Sequence, residues 1–66
     1  MSEKVLLIIR EEMMQIIQRK KPYLSYEEAL DVTNHIIDVV QWDNPTLMHK
    51  GIEWITSLYL NSLVST

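Results

Sequence analysis

The chain has 66 residues, no cysteine, one glycine, a formal net charge of −3 and 47% hydrophobic residues. A chain this short buries only about 60% of its unfolded surface, and a core of that size rarely contributes more than about 3–5 kcal/mol. Disulfides and thiolate zinc sites are excluded, a glycine-rich phosphate loop is excluded, and the acidic balance disfavours sequence-independent nucleic-acid binding.

A first helix is expected over about 3–21. Ser2 suits its N-cap, Arg19, Lys20 and Lys21 complement the dipole at its end, and Pro22 stops it. At helical spacing Val5, Leu6, Ile9, Met13, Ile16 and Ile17 share one face, which Leu7 and Met14 widen. Ile8 stands on the far side among Lys4, Glu11, Glu12 and Gln15. So broad an apolar surface exceeds what two neighbouring helices of the same chain can cover, and a second polypeptide is expected to cover the rest.

The second helix is expected over about 26–42 and has the clearest signal. Ser25 and Glu28 form a capping box, and Glu27 and Asp31 add negative charge to the first turns. Tyr26, Ala29, Leu30, Ile36, Ile37 and Val40 fall on one side, with Thr33 among them. Glu27, Asp31, Asn34, His35 and Asp38 fall on the other. Its many β-branched residues lower helix propensity, so this helix depends on packing.

Asn44 as N-cap and Pro45 at the first helical position start a third helix, expected over about 45–63. Its buried face is read as Leu47, Met48, Ile52, Trp54, Ile55, Leu58, Tyr59 and Leu63. Gly51 falls near the middle of that face, either to admit a close helix or as a tolerated weak point. No charged side chain follows Glu53, so this end is expected to be covered.

Chemistry-bearing patterns are sparse. Asp31, His35 and Asp38 stand at i, i+4 and i+7, a spacing that can present ligands to a divalent ion. A complete site needs a further ligand from elsewhere, so a solvated acidic face is the better reading. Glu11-Glu12 and Glu27-Glu28 are adjacent on their helices and point apart, which does not suit paired acid–base work. Neither a nucleophile with a nearby base nor a membrane span is visible. The apolar run Val5–Ile9 is too short for a secretory signal and lacks a small-residue cleavage site.

The expected architecture is all-α: a single domain over 1–66, a three-helix unit (about 3–21, 26–42 and 45–63) assembled as a helical-bundle homodimer. The expected function is that of a non-enzymatic, cytoplasmic regulatory or adaptor protein working through protein–protein contacts, without metal or cofactor. Its partner surface is expected at Leu7, Ile8, Met14, Trp42 and Trp54. The acidic face at Glu27, Asp31 and Asp38 is a second surface, suited to a basic groove. The alternative is a helix-turn-helix-like DNA-binding regulator using the Arg19–Lys21 cluster or the third helix. That helix offers only His49 and Lys50 as donors near its start.

Overall fold

Four helices follow one another in a computed structural model that describes residues 3–63: α1 (Glu3–Lys20), α2 (Tyr26–Val39), α3 (Pro45–His49) and α4 (Ile52–Leu63). The all-α expectation holds. The count and two of the boundaries differ from expectation, each for a local reason.

α1 ends where the sequence says it should, with Arg19 and Lys20 in its last turn and Pro22 just beyond. The turn is closed by the Lys21 N–H on the Ile17 carbonyl and the Leu24 N–H on the Lys21 carbonyl. The capping box of α2 is present in full. The Ser25 N–H donates to the Glu28 carboxylate at 2.9 Å, and the Glu28 N–H donates to the Ser25 hydroxyl at 3.1 Å.

α2 stops at Val39 rather than continuing to residue 42. Val40 turns extended, with φ −70 and ψ 137, while its N–H still donates to the Ile36 carbonyl. That turn buries the Val40 side chain in the core and lets Trp42 fold back over the helix end.

The expected third helix is two helices. Asn44 caps α3 as anticipated, its side-chain oxygen accepting from the Thr46 and Leu47 N–H groups. Gly51 then adopts φ 93, a conformation that L side chains rarely take. Its N–H donates to the Met48 carbonyl and its own carbonyl accepts from Ile55, so one residue closes α3 and opens α4. A Cβ built at Gly51 would meet nothing within 4 Å. Its role is therefore backbone freedom, not close approach.

α1 packs against both α2 and α4, and α2 also touches α4. The pairings are antiparallel: Arg10 meets Asn34 while Gln18 and Tyr26 border the same groove, and Arg19 near the end of α1 meets Glu53 at the start of α4. Met13, Ile17, Ile36, Ile55 and Leu60 are the fully buried centre.

Candidate functional site

α1 turns its core side to both neighbours and leaves its outer side in solvent. On one flank the Arg10 Nε–H donates to the Asn34 side-chain carbonyl at 3.0 Å. On the other, Arg19 lies 3.9 Å from the Glu53 carboxylate. Between these flanks Lys4, Ile8, Glu11 and Gln15 are all exposed. Ile8 is 61% exposed and Leu7, on the α2 side of the strip, 56%.

Helix length explains why this end of α1 stays uncovered. With 18 residues α1 is about 27 Å long, whereas the 12 residues of α4 reach only about 18 Å. The Arg19–Glu53 contact fixes their register at the other end. α4 therefore runs back along α1 only to about Ile9, and the preceding turns extend past Leu63. Val5, which the sequence assigned to the buried face, is exposed for this reason; Leu63, also assigned to a buried face, is exposed in the last turn of α4.

The expected partner residues divide. Leu7 and Ile8 are on the surface as anticipated. Met14 is not: it is 7% exposed and belongs to the core cluster. It lies on the α2 side of α1, where Leu30 and Tyr26 border the same groove. Trp42 is half-buried, packs against the core and spends its indole N–H on the Ile37 carbonyl. It is a lid on α2, not an open anchor. Trp54 is exposed on the outer side of α4, with the Lys50 ammonium 5.6 Å from its ring centroid. It lies near the opposite end of α1 from Leu7 and Ile8, because Glu53 beside it meets Arg19.

Leu58 joins Trp54 one turn further along the outer side of α4, although the sequence placed both on the buried face. The buried stripe of α4 is Ile55, Thr56 and Leu60, which turns Trp54 and Leu58 away. The charge-free run after Glu53 gave no means of telling the two sides apart.

Glu27, Asp31 and Asp38 are exposed on the outer side of α2, with His35 beside them. Among the described residues no group of three or more His, Asp or Glu side chains is placed to hold a metal ion. No described helix is long and apolar enough to cross a membrane. The chain matches no family model, no curated protein and no solved structure.

Proposed function

We propose that this chain is a small non-enzymatic regulatory or adaptor protein, cytoplasmic, that works by protein–protein contact and pairs with itself through the outer side of α1. The observation that carries the reading is the exposure of Leu7 and Ile8, on the two margins of the outer strip of a helix whose core is complete without them. Single exposed apolar residues are ordinary; these two stand about 100° apart round α1 and border the strip of Lys4, Glu11 and Gln15 from either side, so one contact over that strip covers both. The acidic outer side of α2 offers a separate surface for a basic groove on a target protein, since Glu27, Asp31 and Asp38 face solvent together.

DNA binding draws less support. Arg19 in the basic cluster faces Glu53, the Lys50 ammonium sits over Trp54, and α3 is only five residues long. Solution mass as a function of concentration tests the main reading. A dimer that Ile8→Lys converts to a folded monomer is the expected result; a monomer at every concentration argues against pairing. A gel shift with steep salt dependence would instead favour DNA.

A further inference from the structure

We propose that two copies pair with their α1 helices antiparallel, about a two-fold axis passing between Leu7 and Ile8. This arrangement rests on the self-association proposed above and adds its geometry. Along the outer strip of α1 the charge changes sign: Lys4 stands one turn before Ile8 and Glu11 nearly one turn after it. Lys4 and Glu11 are seven positions apart, which places them on one line along the strip, with Leu7 about 50° to one side of that line and Ile8 about 50° to the other. All four residues are exposed. On α1 itself neither Lys4 nor Glu11 has an opposite charge three or four positions away, the spacing at which helix neighbours pair.

A two-fold contact joins the same patch on both copies, so a residue before the axis meets one after it. Turned about the midpoint between Leu7 and Ile8, an antiparallel copy brings Lys4 opposite the partner's Glu11, and symmetry makes that pair twice. Ile8 meets its own counterpart on one side of that line, and Leu7 meets its own on the other. A parallel copy would set Lys4 against Lys4 and Glu11 against Glu11, a repulsive match on both counts. The strip is thus complementary to itself in one direction only. One helix–helix contact makes a small interface, so the dimer is weak and forms with rising concentration.

Charge reversal tests the geometry. In sedimentation measured from about 10 to 500 µM at low salt, Lys4→Glu and Glu11→Lys are each expected to weaken dimerisation about tenfold. The double variant K4E/E11K restores the pairs with signs exchanged and is expected to recover most of the affinity. Orientation has its own readout. The chain has no cysteine, so Lys20→Cys accepts a single spin label. At the helical rise an antiparallel pair separates the two labels by about 36 Å, and a parallel pair by about 10 Å. A protein that stays monomeric throughout overturns the self-association reading and this arrangement with it. A dimer with close labels, or one in which the double reversal recovers nothing, overturns the antiparallel arrangement alone.

Discussion

The indole N–H of Trp42 donates to the Ile37 carbonyl at 2.9 Å, so a side chain beyond the end of α2 caps one of its last carbonyls. Helix ends leave such carbonyls without partners inside the helix. Here Val40 takes the Ile36 carbonyl and Trp42 takes the next. Trp42→Phe keeps most of the packing but removes the donor, and is expected to cost about 1 kcal/mol. For a chain of this size that lowers the melting temperature by about 4–8 °C. Trp42→Ala also removes the lid from the core and should lower it further. Equal melting temperatures for wild type and Trp42→Ala would mean that Trp42 does not close α2.

Gly51→Ala distinguishes a broken helix from a continuous one by sign. In an unbroken helix alanine is favoured over glycine by up to about 1 kcal/mol, so the substitution would stabilise. At φ 93 with open space around the missing Cβ, alanine meets no clash and only backbone strain, which is expected to destabilise by about 1–2 kcal/mol. Thermal unfolding followed by circular dichroism reads the direction. A rise in melting temperature would refute the break.

The helical class, the starts of α2 and α3, and the solvent side of α2 were legible because local rules set them: Ser25 with Glu28, Asn44 with Pro45, and Glu27, Asp31 and Asp38 at helical spacing. Only the start of α4 escaped, since Gly51 sits in an apolar pattern that continues across it, and nothing local tells a mid-helix glycine from a terminating one. Met14 escaped for a different reason. Whether an apolar residue at the edge of a stripe is covered depends on the neighbouring helix, and the breadth of the stripe on α1 does not reveal where α2 lies. Ile8 was legible because charged and polar residues surround it on α1 alone.

Two buried threonines should respond oppositely to the same change. The Thr33 hydroxyl donates to the Ala29 carbonyl at 2.7 Å, whereas the Thr56 hydroxyl is buried without a hydrogen-bond partner among the described residues. Both side chains are fully buried. Thr56→Val replaces an unpaired hydroxyl by a methyl of similar shape and is expected to stabilise by about 1 kcal/mol. Thr33→Val removes a made hydrogen bond and is expected to destabilise by about 1 kcal/mol or less, since bonds of this kind inside a helix contribute modestly. Chemical denaturation midpoints of the two variants should lie on opposite sides of wild type. A lower midpoint for Thr56→Val would show that its hydroxyl has a partner in solution.

Acid should weaken the start of α2 through one carboxyl. The Ser25 backbone N–H, and then the Ser25 hydroxyl, hold the Glu28 carboxyl below its ordinary value of 4.5. A group lowered by folding contributes stability that is whole above its ordinary pKa and is lost as pH falls through the lowered one. Glu28→Gln keeps an acceptor for the cap but cannot titrate. Every other carboxyl is common to both proteins, so their difference isolates this one. Wild type should exceed Glu28→Gln in melting temperature by a constant margin at neutral pH, and the margin should shrink below about pH 4.5. A margin unchanged into the acid range would mean that the Glu28 carboxylate does not hold the cap.

Ile8 and Met14 separate folding from association, because Met14 belongs to the core while Ile8 is exposed on the outer side of the same helix. Met14 lies in the core, so Met14→Ala leaves a cavity and is expected to cost about 2–3 kcal/mol whether or not the protein pairs. Ile8 is exposed on the single chain, so at dilutions where the dimer has dissociated Ile8→Ala should leave the stability within about 0.5 kcal/mol of wild type. At high concentration the two proteins should part. Pairing raises the melting temperature of wild type with concentration, because a ligand that binds only the folded state stabilises it by mass action. Ile8→Ala should lose that concentration dependence while Met14→Ala keeps it from a lower starting point. If Ile8→Ala melts lower than wild type even at high dilution, Ile8 is part of the chain's own packing and the apolar strip on α1 is not a contact surface.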